Sequence, residues 1–179
     1  MEMQGERLIE ASRNEVWTAL NDPEVLKSCI PGCEEMEKTS ATEFTATVVQ
    51  KVGPVKARFK GAVELSDIVP GESYTISGEG KGGAAGFARG GAKVTLADQD
   101  GGTLLSYAAE ARVGGKLAQL GNRLINGFAK KVAADFFDRF QAVVQGDTPE
   151  AEKADADAAE GGDAPPEEQK KGWLKRMIS

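Results

Sequence analysis

Residues 115–144 contain no proline and carry large apolar side chains at intervals of mostly three and four: Leu117, Leu120, Leu124, Ile125, Phe128, Val132, Phe136, Phe137, Phe140, Val143 and Val144. That spacing is the repeat of one face of an α-helix. Lys116, Arg123, Lys130, Lys131, Asp135, Asp138 and Arg139 occupy the other faces. The pattern predicts a single helix, about 45 Å long at a rise of ~1.5 Å per residue. Such a helix crosses a whole domain, and its apolar stripe needs a partner surface along its length.

The preceding chain reads mainly as strands. Residues 4–11 form a first strand centred on Leu8 and Ile9. Ser12 and Glu15 have the capping-box spacing and start a helix over Arg13–Leu20, with Val16, Trp17 and Leu20 on one side. Asp22-Pro23 opens a second short helix through Lys27, and Cys29-Ile30-Pro31-Gly32-Cys33 is a turn. Phe44, Ala46 and Val48 then alternate with polar residues, and Gly53-Pro54 marks a hairpin. Val55, Ala57, Phe59, Gly61, Val63 and Leu65 alternate with Lys56, Arg58, Lys60 and Glu64. Tyr74, Ile76, Gly78 and Gly80 share a face. So do Ala92, Val94 and Leu96, and then Leu105, Tyr107, Ala109, Ala111 and Val113. One-sided antiparallel strands must cover their apolar face, and the long helix is the large apolar surface left to do it.

Composition narrows the chemistry. The 179 residues include no histidine, the commonest general base and metal ligand. Tyr74, Tyr107, Glu43 and Arg89 are the polar candidates for work inside a cavity, and none has a catalytic partner by spacing. Cys29 and Cys33 are spaced as neither a zinc pair nor a redox pair, and read as packed, free thiols in a turn. Gly78-Glu79-Gly80-Lys81-Gly82-Gly83 matches G-x-G-x-x-G, but inside a strand and loop with no helix following. It reads as strand bulging and close backbone approach rather than a dinucleotide site. Small inward residues at Gly61, Gly78 and Gly80 suit a cavity and a strongly bent sheet equally well.

Charge divides the chain into three parts. Residues 1–146 hold 17 basic and 19 acidic residues; residues 147–169 have a net charge of −8, and residues 170–179 of +4. The first part lacks the basic stripe that nucleic-acid binding needs. The N-terminus has neither the basic nor the apolar region of an export signal, and no apolar run approaches a membrane span. The expectation is a cytoplasmic protein in three parts: a domain over residues 1–145, a disordered acidic linker over 146–169 and a basic amphipathic tip over 170–179. In the tip, Trp173, Leu174, Met177 and Ile178 fall on one side of a short helix, with Lys171, Lys175 and Arg176 beside them. That is the pattern of a peripheral anchor at the inner face of a cell membrane. A partner-docking peptide and a plain solubilising tail are the other readings.

Several segments carry a family resemblance. They are Leu26-Lys27-Ser28-Cys29-Ile30-Pro31-Gly32-Cys33, Val52-Gly53-Pro54-Val55-Lys56-Ala57, the glycine-rich residues 78–91, and Val113-Gly114-Gly115-Lys116-Leu117-Ala118-Gln119-Leu120-Gly121. With the order strand, two short helices, strand meander and long helix, residues 1–145 resemble the carbon monoxide dehydrogenase G-subunit family of the START-like, or SRPBCC, superfamily. The resemblance implies an α+β helix-grip fold, in which a curved antiparallel sheet wraps a long C-terminal helix around a hydrophobic cavity. The inward positions that would line the cavity are Phe44, Val48, Phe59, Val63, Ile76, Gly78, Val94 and Tyr107 from strands, and Leu117, Leu120, Gly121, Leu124 and Phe128 from the helix. It implies non-catalytic carriage of a lipid or isoprenoid quinone, menaquinone or ubiquinone, and membrane recruitment of a molybdenum hydroxylase of the carbon monoxide dehydrogenase type. A recruitment adaptor that carries no ligand is the alternative. A cyclase or dehydratase on the same fold is disfavoured by the absence of histidine.

Overall fold

The computed structural model describes residues 1–146. The chain divides at Phe140 into the compact unit Met1–Phe140 and a second unit opening at Gln141, whose described part is the end of the last helix. The elements run β1 (Glu2–Ile9), α1 (Arg13–Leu20), α2 (Pro23–Cys29), β2 (Cys33–Ser40), β3 (Glu43–Val52), β4 (Val55–Val69), β5 (Ser73–Lys81), β6 (Phe87–Gln99), β7 (Gly102–Gly114) and α3 (Asn122–Val144). Short 3-10 segments occupy Gly83–Ala85 and Gly115–Leu120. The seven strands form one curved antiparallel sheet in the order β1-β7-β6-β5-β4-β3-β2. Strands β2 to β7 are a plain meander, and β1 returns to pair with β7 along its whole length, from Glu2 opposite Glu110 to Ile9 opposite Thr103.

Local chemistry places the two short helices. Ser12 and Glu15 close a capping box: the Glu15 N–H donates to Ser12 Oγ at 3.2 Å and the Ser12 N–H to Glu15 Oε1 at 3.0 Å. Asp22 caps α2 through the Glu24 N–H at 2.9 Å, with Pro23 at the first helical position. Helix α1 packs on β6 and β7. Arg13 on α1 reaches Asp98 at 3.0 Å and donates to the Gly71 carbonyl, and Trp17 stands edge-on to Tyr74. Helix α2 packs on β2. Ile9, Val16, Cys29, Thr103, Leu105 and Phe140 are completely buried, and the Thr103 hydroxyl donates to the Ala11 carbonyl at 2.7 Å.

The structure differs from the sequence expectations in four places. The predicted single helix over residues 115–144 is broken. Gly115 and Gly121 sit at φ 70° and 91°, so 115–120 winds as a 3-10 segment and α3 starts only at Asn122. A spacing of three suits both kinds of helix, so periodicity alone could not show the break. Strand β2 was not anticipated, because Glu34, Glu35, Met36, Glu37 and Lys38 offer one large apolar residue and no clear alternation. It is an edge strand, where charge discourages pairing with another chain. In β1 the inward set is Met3, Gly5, Arg7 and Ile9, which leaves Leu8 exposed. The glycine-rich residues form no bulge: Gly78 pairs in register with Val63 and Gly90.

Candidate functional site

Between the inner face of the sheet and α3 lies a cavity of about 620 Å³, all of whose lining belongs to the unit Met1–Phe140. The period-two rule generates its walls. From β3 come Phe44, Ala46, Val48, Gln50 and Val52; from β4, Phe59, Val63 and Leu65; from β5, Tyr74 and Ile76. Strand β6 adds Ala88, Ala92 and Val94, and β7 adds Leu105, Tyr107, Ala109, Ala111 and Val113. The period-3.6 rule generates the roof. Ile125, Phe128, Ala129, Val132, Ala133, Phe136 and Phe137 of α3 follow the helical stripe. Leu117 adds to it from the 3-10 segment, with Leu20 from α1 and Leu26, Ile30 and Pro31 from α2 and its turn.

Alanine makes the room. Ala92 and Ala109 are direct cross-strand partners, and Ala111 lies two residues further along β7. A larger residue at any of these would project into the space under α3. The glycines have a different job. A side chain on Gly61 would meet the Glu79 carbonyl oxygen at 2.6 Å, and one on Gly78 the Ala62 carbonyl oxygen at 2.8 Å. These glycines permit close strand approach, and none lines the cavity.

A ring contact and an ion pair link the helix to the sheet. Tyr107 stacks on Phe137 with centroids 5.2 Å apart, and Phe136 packs between Phe137 and Phe140. Arg7 on β1 pairs with Asp138 at 2.8 Å and lies over the Phe137 ring. The Asp138 end of that pair is largely in water, so the pair positions the helix more than it stabilises it.

No charged side chain lines the cavity. Of its polar groups, the Gln50 amide donates to the Pro31 carbonyl and is thereby occupied. The other two are the phenols of Tyr74 and Tyr107. Burial pushes the Tyr74 phenol well above its ordinary pKa, so it stays protonated. Glu43 and Arg89 are exposed; Arg89 lies over the Phe87 ring. Cys29 and Cys33 are free thiols that do not line the cavity. Among the described residues no cluster of histidine, cysteine or carboxylate could hold a metal ion, and no helix is long and apolar enough to cross a membrane. The chemistry on offer is apolar burial with two phenol hydroxyls.

The structure brings together Phe44, Val48, Phe59, Val63, Ile76, Val94, Tyr107, Leu117 and Phe128 around this space. Gly78, Leu120, Gly121 and Leu124 lie outside it. Gly78 is a point of close backbone approach, Gly121 is the break before α3 with open space around it, and Leu124 is 40% exposed with its Cδ2 against Gly53. The expected lining left out the alanines of β6 and β7, although Ala92, Ala109 and Ala111 fall on apolar strand faces in the sequence, because alanine carries no strong hydrophobic signal. It also missed Leu20, Leu26 and Ile30, whose part depends on how α1 and α2 close over the sheet. Lys171, Trp173, Leu174, Lys175, Arg176, Met177 and Ile178, expected to contact a membrane, lie outside the described residues, as does all but the first residue of the expected linker.

A curved antiparallel sheet closed by a C-terminal helix over an apolar cavity defines a START-like, or SRPBCC, protein of the helix-grip class. The chain belongs to the carbon monoxide dehydrogenase G-subunit (CoxG) family, whose model matches residues 5–145. A conserved protein from Geobacillus kaustophilus is similar in structure at 31% identity and a TM-score of 0.76, over 82% of this chain and 96% of that one. Proteins from Chromobacterium violaceum and Thermus thermophilus each share 16% identity at a TM-score of 0.62. These two matches cover 80% and 82% of this chain and 96% and 98% of theirs, and they speak to the fold alone. A search of curated proteins finds no match.

Proposed function

We propose that this protein is a non-catalytic carrier of a lipophilic molecule, an isoprenoid quinone such as menaquinone or ubiquinone, which it exchanges with a molybdenum-containing dehydrogenase of the carbon monoxide dehydrogenase type. The observation that carries the reading is the cavity. At about 620 Å³ it falls within the roughly 300–1,000 Å³ of small-molecule sites, and its lining holds no charged side chain. Each prenyl methylene moved into it from water contributes about 0.8 kcal/mol, so hydrocarbon alone supplies affinity. The absence of an acid–base pair on the lining supports carriage over catalysis. Family membership supports the partner. The tail beyond residue 169 suits peripheral attachment to the inner face of the membrane, where quinone resides.

The test is extraction and native mass spectrometry of full-length protein purified from its host, followed by titration of the stripped protein with a short-chain menaquinone. The expected result is co-purifying quinone and saturable uptake. Ala133→Trp, which projects from α3 into the cavity, should weaken that uptake at least tenfold while leaving capture of the dehydrogenase intact. Empty protein that takes up no quinone defeats the carrier reading. If the filled variant also supports full electron transfer in membranes, the protein is a recruitment adaptor.

A further inference from the structure

Two phenols of the cavity wall, Tyr74 and Tyr107, have hydroxyls with no hydrogen-bond partner among the described residues, and Tyr74 is the more deeply buried of the two. Tyr74 is 4% exposed, its ring borders the cavity, and its hydroxyl has no hydrogen-bond partner among the described residues. Native proteins leave few such groups, because a buried hydroxyl with no partner has lost its water and gained nothing. The other polar groups of the lining are placed differently. Gln50 is occupied by the Pro31 carbonyl. Tyr107 is half-buried, with its ring laid across Gly5 and stacked on Phe137.

Register fixes the relation between the two phenols. Tyr74 pairs with Val94, and Val94 with Tyr107, so all three stand on one cross-strand row of the inner face. Two strand spacings separate the tyrosine backbones by about 10 Å. Tyr74 is at the α1 end, where Trp17 meets it edge-on at a centroid distance of 5.3 Å and Leu20 adds to the wall. Phe128, Val132 and Phe136 of α3 form an unbroken hydrocarbon surface on the roof.

We infer that the Tyr74 hydroxyl is the anchoring donor of the cavity, and that it selects an amphiphile with an oxygen acceptor at one end and hydrocarbon elsewhere. The acceptor end seats against Tyr74 beside Trp17 and Leu20, and the hydrocarbon runs along the α3 stripe. A carbonyl oxygen can only accept, and the buried phenol keeps its proton, so the roles are complementary. The inference rests on the carrier reading but specifies more, because an apolar cavity would take a pure hydrocarbon equally well.

The experiment compares two probes on the full-length chain carrying Trp173→Phe, so that Trp17 reports binding through its fluorescence. One probe is a short-chain menaquinone. The other is the matching prenyl methylnaphthalene, which lacks both carbonyl oxygens. Tyr74→Phe removes one oxygen and little volume. It should weaken the quinone roughly 3- to 10-fold, the loss of one neutral hydrogen bond, and leave the hydrocarbon unchanged or tighter. With carbon-13 at the carbonyls, infrared spectra of the bound quinone should show a downshifted carbonyl stretch that Tyr74→Phe abolishes. Equal loss for both probes, or loss for neither, overturns the anchor while leaving the carrier reading standing. A parent protein that binds neither probe overturns both.

Discussion

Cys29 shows what burial does to a single titratable group. The side chain is completely buried, with Ser28 Oγ 3.8 Å from its sulfur. Burial pushes its pKa up from an ordinary 9.0 to about 11, against the smaller lowering effects of Ser28 and the Arg139 charge. Only the thiolate is nucleophilic, so the thiol is inert near neutral pH. Cys33 is raised too, first by burial, but is only half-buried. In native protein at pH 8 a disulfide-exchange reagent should therefore label Cys33 first and reach Cys29 at the rate of unfolding. The sign of the linked stability follows from proton binding. Between about pH 9 and 11 the unfolded chain releases the Cys29 proton while the folded protein keeps it, so stability falls as pH rises through that window. Cys29→Ala should be less stable at neutral pH but lose less across the same window. Urea midpoints for the two proteins at pH 8 and pH 10.5 check this; parallel losses would refute it.

At the scale of the element, the glycines separate into those where a side chain would collide with backbone and those where it would meet open space. A side chain on Gly90 of β6 would run into the Glu110 carbonyl and come within 2.8 Å of Ala111 Cα. Backbone cannot yield as a side-chain tip can, so Gly90→Ala should destabilise by about 1–3 kcal/mol. Gly127 of α3 is the contrast: added carbon there meets nothing within 4 Å, and its φ is ordinary. Gly127→Ala should stabilise by roughly 0.5–1 kcal/mol through helix propensity. Paired thermal melts decide it, and opposite shifts are expected. This division was not readable in the sequence, where small inward residues at Gly61, Gly78 and Gly80 suit a cavity and a bent sheet equally well. What was readable followed from strong local signals: the Ser12 box, Pro23, and the alternation over Val55–Leu65. Charge on both faces hid β2 because an edge strand needs no continuous apolar face. The cavity lining was legible wherever a strand alternated large and polar residues, as at Phe44, Val48 and Phe59. It was illegible where the wall is alanine, because a cavity is made by what is missing, and where short helices bring in Leu20 and Leu26 through tertiary packing.

At the scale of the whole molecule, the carrier proposal assigns cargo and membrane attachment to different parts of the chain. The cavity lies within Met1–Phe140, while the strongest charge contrast lies beyond residue 146, from −8 over residues 147–169 to +4 over residues 170–179. Residues 1–146 are close to neutral, with 17 basic against 19 acidic residues, and offer an anionic leaflet little net attraction. The acidic residues 147–169 would be repelled by it. We therefore propose that attachment comes from Lys170, Lys171, Lys175 and Arg176, at about 1 kcal/mol each near an anionic surface, together with Trp173, Leu174, Met177 and Ile178. The sum suits weak, reversible binding, which a carrier that must leave the bilayer requires. Deleting residues 172–179 should abolish co-sedimentation with anionic liposomes. It should leave the melting temperature and the affinity for a short-chain quinone unchanged, because the cavity lining lies within Met1–Phe140. For the intact chain, raising salt from 0.1 to 1 M shortens the screening length from about 10 to 3 Å and should release most bound protein. Undiminished sedimentation of the truncated chain would place attachment elsewhere and make the last ten residues a docking peptide for the partner dehydrogenase or plain solvated chain.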